Sequence, residues 1–208
     1  MYTRRQFLIG GFALYLSACG TSKRHAQISK GSLVSALGDS LTAGYGTTPN
    51  TAYPEVLAQL TGWQVQNDGV SGDQTSHILA RLDSVLNKNP KLILLGIGGN
   101  DFLRRIPTEQ THKNLTQIIT KIQRNNIPLV LIAEPHLTTG ALITGQLSDH
   151  PIYAELAKQH QLPLFSDAWS DILSDKTLKS DQIHANQTGY REFAEKLAKF
   201  LKKEGYLR

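Results

Sequence analysis

The chain predicts a three-layer α/β/α fold built on a five-stranded parallel sheet, and three observations predict it. Short apolar runs alternate with longer, helix-patterned stretches, which calls for a parallel sheet covered on both faces. The length of 208 residues suits one domain with its own core rather than two. Apolar residues at 40% against 19% charged are too many for a disordered chain. A single cysteine excludes an internal disulfide framework and cysteine-rich zinc modules.

In chain order, the strand runs are 33–37, 63–67, 91–97, 127–133 and 162–165. Between and after them, helical spacing covers 53–60, 76–86, 109–124, 151–159 and 187–203. The last of these has Phe193, Leu197, Phe200 and Leu201 on one stripe, which marks its core-facing side. Nothing repeats and no low-complexity block intervenes. In such a sheet, ligands sit beyond the carboxyl ends of the strands, so the turns after residues 37, 67, 97 and 133 are the places to look for chemistry.

The domain organisation is a signal segment 1–18, a tether 19–32 and a folded domain 33–208. Arg4 and Arg5 form a positive start, Phe7 to Leu16 an apolar run too short to span a bilayer, and Leu16-Ser17-Ala18 leads into Cys19. Leu16-Ser17-Ala18-Cys19 resembles a bacterial lipobox, which implies lipidation of Cys19, and residues 3–8 resemble a twin-arginine export motif. Gly20 after the cysteine lacks the aspartate associated with inner-membrane retention, so an exported protein lipid-anchored to the outer membrane is expected. Residues 20–32, polar and aperiodic, read as the tether proper. Without residues 1–18 the net charge drops from +5 to +3, too small to argue for nucleic acid as a partner.

The turn after the first strand run is Gly38-Asp39-Ser40-Leu41-Thr42-Ala43-Gly44. A serine between a strand and a helix start is exposed, and the helix amides can stabilise negative charge beside it. The turn lacks both the lysine of a P-loop and the Gly-x-Ser-x-Gly elbow, so by itself it fits either a nucleophile or an anion nest. A nucleophilic serine needs a base. Of seven histidines only His184 has an acid in the same polar turn, Asp181, three residues earlier and just before the last helix. Asn100 and Gly99, after the third strand run, and Gly72, after the second, can supply oxyanion donors. Asp39 and Asp101 read as holders of their own loops. Of the other histidines, only His136 follows a strand run, where it could line the pocket. Trp63 and Trp169 read as packing residues. No cluster has metal-ligand spacing.

Gly38-Asp39-Ser40-Leu41, Gly72 in its Ser-Gly-Asp segment, Gly99-Asn100-Asp101 and Asp181-x-x-His184 resemble, in order, the four blocks of the SGNH/GDSL hydrolases. The resemblance spans residues 33–203 and looks most like the bacterial arylesterase/thioesterase/lysophospholipase branch. It implies a flavodoxin-like sheet of order 2-1-3-4-5 and no cofactor. It also implies a nucleophile at Ser40, a base and its acid at His184 and Asp181, and an oxyanion hole of Ser40, Gly72 and Asn100. Ala185 departs from the proline usual after the histidine, and Gln74 separates Asp73 from Thr75. Residues 135–150 do not resemble that branch's pocket-shaping loop, so acyl-chain preference is not carried over. The expected function is a serine esterase or lipase acting on arylesters, short acyl esters or lysophospholipids. Its competitors are a carbohydrate O-acetylesterase using the same residues and a non-catalytic surface lipoprotein. A flavin- or nucleotide-binding protein is a more distant one.

Overall fold

The five apolar runs pair side by side as the alternation requires. In the computed structural model, residues 25–208 are described, with Thr139 and Leu142 described by backbone alone. The strands are β1 (Leu33–Gly38), β2 (Gln64–Gly69), β3 (Leu92–Gly96), β4 (Leu129–Ile132) and β5 (Leu164–Phe165). All are parallel and lie in the order β2-β1-β3-β4-β5, as expected. The helices are α1 (Ser40–Ala43), α2 (Tyr53–Thr61), α3 (Thr75–Leu86), α4 (Gly99–Leu103), α5 (Thr108–Arg124), α6 (Thr139–Thr144), α7 (Ile152–His160), α8 (Ala168–Ser174) and α9 (Gln187–Lys203).

Two apolar layers sandwich the sheet, because β1 and β3 alternate buried side chains toward both faces. Val34, Ala36, Leu92 and Leu94 join Tyr53, Trp169, Tyr190 and Phe193 from α2, α8 and α9. Leu37, Ile93 and Leu95 join Ile78, Leu82, Ile118, Ile122 and Leu156 from α3, α5 and α7. Trp169 stacks on Phe193 at 3.6 Å between ring centroids. A pair of this kind contributes about 0.5–1.5 kcal/mol beyond its area.

At the carboxyl edge the register brings Gly38 opposite both Gly69 and Gly96. A Cβ on Gly38 would lie 2.2 Å from the Gly96 carbonyl and from Thr42 Oγ1. The missing side chain is what lets α1 fold back against the strand ends, and it places Ser40 where it is.

The signal segment 1–18, Cys19 and residues 20–24 lie outside the described residues. The rest of the expected tether, 25–32, is not free. Ile28 is in the core, its carbonyl accepts the Trp63 indole N–H, and its own N–H donates to the Tyr206 carbonyl. His25 stacks on Tyr206 at 4.5 Å, and Gly31 N–H donates to the Gly62 carbonyl. A segment whose only large aliphatic residue is Ile28 has no periodicity to read, yet that residue and the backbone dock it along the amino ends of the strands.

Candidate active site

Ser40 is the first residue of α1. The helix is only one turn, yet it is capped at both ends: Asp39 Oδ1 accepts the Leu41 N–H at 3.0 Å, and Gly44 closes it in the left-handed region. Ser40 is 9% exposed, with its hydroxyl facing the loop that leads into α9. His184 Nε2 is 3.0 Å from Ser40 Oγ, and His184 Nδ1 is 2.8 Å from Asp181 Oδ2. Nδ1–H donating to the carboxylate leaves Nε2 as acceptor for the serine hydroxyl; the network assigns this tautomer.

Asp181 is itself fixed. Its Oδ1 accepts the N–H groups of Ile183 and His184, each at 2.8 Å. Partial burial opposes its ionisation, but these bonds and the imidazole outweigh it and hold the carboxyl below its usual range. The loop is tied down by the Ser180 N–H on the His184 carbonyl and by a bridge between Lys179 and Ala185. Alanine in place of proline at 185 leaves that turn closed. The ring of Tyr45 covers the imidazole at 4.4 Å, and the Tyr190 hydroxyl holds the Tyr45 carbonyl at 2.8 Å.

The other expected residues converge on the same cavity. Ser40, Gly72, Asn100 and His184 all line a pocket of about 290 Å³. Gly72 has φ +85°, a conformation that favours glycine, and no acceptor among the described residues takes its N–H. Asn100 Nδ2 donates to Asp39 Oδ2 at 3.2 Å, which orients the amide and leaves its second N–H free. Asp39 therefore holds two turns, its own and that of Asn100. Burial pushes its carboxyl up to about 7, opposed by the bonds from Leu41 and Asn100 and supported by Asp73 and Asp101. Asp101 accepts the Thr75 N–H and hydroxyl and so fastens α4 to the start of α3.

Leu41, Leu103, Pro135, Leu137, Leu173 and Ile183 give the pocket an apolar part of its lining. His136 is not in its wall; its ring packs instead against Phe102 and His150. Trp63 and Trp169 are in the core, as expected of packing residues. Glu134 was not anticipated: it follows β4, is 1% exposed, lines the pocket and accepts the Gly99 N–H at 2.6 Å. An acid directly after a fully apolar strand run, at the carboxyl edge, was the available signal. Among the described residues, no three His, Cys, Asp or Glu side chains form a group able to hold a metal ion. The arrangement can deprotonate a hydroxyl beside a partly apolar pocket and offer N–H donors to an oxyanion.

Residues 36–192 match the GDSL-like Lipase/Acylhydrolase family. The chain is 33% identical over 172 residues to thioesterase 1/protease 1/lysophospholipase L1 of Escherichia coli (strain K12), covering 79% of this chain and 81% of that protein. It is 32% identical over 176 residues to an arylesterase of Vibrio mimicus, covering 80% and 86%. Among solved structures, the psychrotrophic esterase EstA from Pseudoalteromonas sp. superposes with a TM-score of 0.71 at 23% identity, covering 83% of this chain and 97% of that one. At that identity the likeness speaks for the fold.

Proposed function

Since the chain belongs to the GDSL-like lipase/acylhydrolase family and is an ester-bond hydrolase, we propose that it works through an acyl-enzyme on Ser40. The observation that carries this is the hydrogen-bonded relay from Ser40 Oγ to His184 Nε2 at 3.0 Å and from His184 Nδ1 to Asp181 at 2.8 Å. His184 takes the serine proton as Oγ attacks the ester carbonyl, and Asp181 stabilises the imidazolium that forms. The developing oxyanion is met by the N–H groups of Ser40 and Gly72 and by Asn100 Nδ2–H. His184 then gives its proton to the leaving alcohol, and a water molecule repeats the cycle on the acyl-enzyme.

The apolar part of the pocket lining supports an acyl group as the buried part of the substrate, with arylesters, short acyl esters and lysophospholipids as the substrate class. The proposal extends to the N-terminus: Leu16-Ser17-Ala18-Cys19, after a basic start and an apolar run, supports export and lipid anchoring at Cys19 to a bacterial outer membrane. Two measurements test the enzyme. A fluorophosphonate probe is expected to label the protein once, on Ser40, and not the Ser40→Ala variant. A panel of arylesters, acyl esters and lysophospholipid is expected to be hydrolysed by the wild type alone. Labelling that survives the substitution would move the nucleophile to another serine.

A further inference from the structure

The esterase chemistry leaves the Glu134 carboxyl without a task, although burying it carries a large desolvation cost. Its Oε2 accepts the Gly99 N–H at 2.6 Å, while its Oε1 is buried with no partner. Gly99 is the first residue of α4, and the residue before it, Gly98, has no side chain to cap the helix. The cap comes from another element instead, across 35 residues of sequence. A Cβ on Gly99 would lie 2.6 Å from Glu134 Oε2 and 3.8 Å from Asp39 Oδ2. Both carboxyl groups therefore border the space that a Gly99 side chain would fill, beneath the wall of the pocket that both also line.

Two ionised carboxylates in that space would repel each other and set two negative charges behind donors meant for an oxyanion. The other titratable groups facing the pair are Asp73, from the loop before α3, Asp101 in α4, and the phenols of Tyr53 in α2, Tyr153 in α7 and Tyr190 in α9. Arg81 in α3 brings a positive charge, but its guanidinium is bound to Asp73 and to the Gly38 and Asp68 carbonyls rather than to either carboxyl of the pair. Hydrogen bonding decides where the remaining proton sits. Asp39 accepts two N–H groups, from Leu41 and Asn100, whereas Glu134 accepts one and has a bare oxygen. Ionised Asp39 is thus met by two donors and ionised Glu134 by one, which makes Glu134 the member of the pair better left neutral.

We propose that Glu134 is a positioning residue of the oxyanion hole, held as a neutral carboxylic acid that fixes the Gly99 N–H, and through it Asn100, without a second negative charge. Burial, with Asp39 next in importance, drives its carboxyl in the same direction, well above the ordinary range. The proposal rests on the esterase reading for its kinetic arm only.

The test uses the full chain as wild type, Glu134→Gln and Glu134→Leu. The infrared difference between wild type and Glu134→Gln at about pH 9, above the value of about 7 for Asp39, is expected to contain the C=O stretch of a protonated carboxyl. Glu134→Gln, neutral and with an acceptor oxygen for Gly99, is expected to keep kcat within about threefold. Glu134→Leu leaves the Gly99 N–H buried and unpaired, and kcat is expected to fall by about tenfold or more at little-changed KM. An absent carboxyl band, or a Gln variant as impaired as Leu, overturns the neutral acid. An unimpaired Leu variant overturns the positioning role. If Leu does not fold, the band and the Gln variant decide. If no ester is hydrolysed even by the wild type, the esterase reading fails, and the band still decides the state of Glu134.

Discussion

Asn100 carries two loads at once, since its amide donates to Asp39 at 3.2 Å and lines the pocket beside Ser40. Asn100→Ala removes a neutral donor aimed at charge present only in the transition state. kcat is expected to fall by ~10²–10³, or about 2.7–4 kcal/mol, with KM nearly constant. Asn100→Asp is expected to be worse, because its carboxylate would face both the oxyanion and Asp39. Steady-state kinetics with melting temperatures for both variants check this; an Ala variant within threefold of wild-type kcat removes the role. At this scale Ser40, Gly72, Asn100, Asp181 and His184 were legible because each stands in a short turn with a chemically distinctive neighbour. Glu134 stood in a visible place after the β4 run, but its bond to the Gly99 N–H was not visible, because no local pattern links positions so far apart in the chain.

Among elements, the long ones were readable from periodicity, whereas of the one-turn ones only the start of α1 was, from the turn that carries Ser40. α5 and α9 repeat apolar residues over four turns or more, whereas α1, α4 and α6 are too short for a 3.6-residue period to emerge. α8 has only seven residues, but Trp169, Ile172 and Leu173 make it part of the core. The stretch between β4 and α7 shows how tertiary packing sets a local property. His150 stacks on Phe102 at 3.9 Å, and its Nδ1 accepts the Ile152 N–H at the start of α7. Burial, with His136 adding to it, lowers its pKa from 6.5 to about 4. A histidine depressed in the folded state contributes stability that is whole above the unfolded value of 6.5 and is lost as pH falls toward 4. The melting temperature is therefore expected to drop between pH 7 and pH 4.5 by less in His150→Asn, which keeps an acceptor for Ile152 but does not titrate. Equal drops in both proteins would show that His150 is not the group responsible.

For the whole molecule, the two ends of the sheet are assigned to different tasks. Residues 25–32 run along the amino ends of the strands, while Ser40, Asn100 and Glu134 stand at the carboxyl ends. The described residues nearest Cys19 in the chain therefore lie on the edge opposite the pocket. Cys19→Ser is expected to abolish incorporation of labelled fatty acid while leaving kcat and KM on a soluble arylester within about twofold of wild type. Persistent label in the variant rules out Cys19 as the anchor. The sequence by itself determined the layered fold, the strand order through the motif blocks, and which five residues, Ser40, Gly72, Asn100, Asp181 and His184, the fold gathers at or beside one pocket. Alternation of apolar runs and turn chemistry are local, and local features survive in a linear text. Only the tertiary structure decided that 25–32 is docked, that His136 leaves the pocket wall to Pro135 and Leu137, and that two buried carboxyl groups meet beside Gly99. Each of these depends on which distant segments share a space, and a proton's place in that space follows from the hydrogen bonds available there.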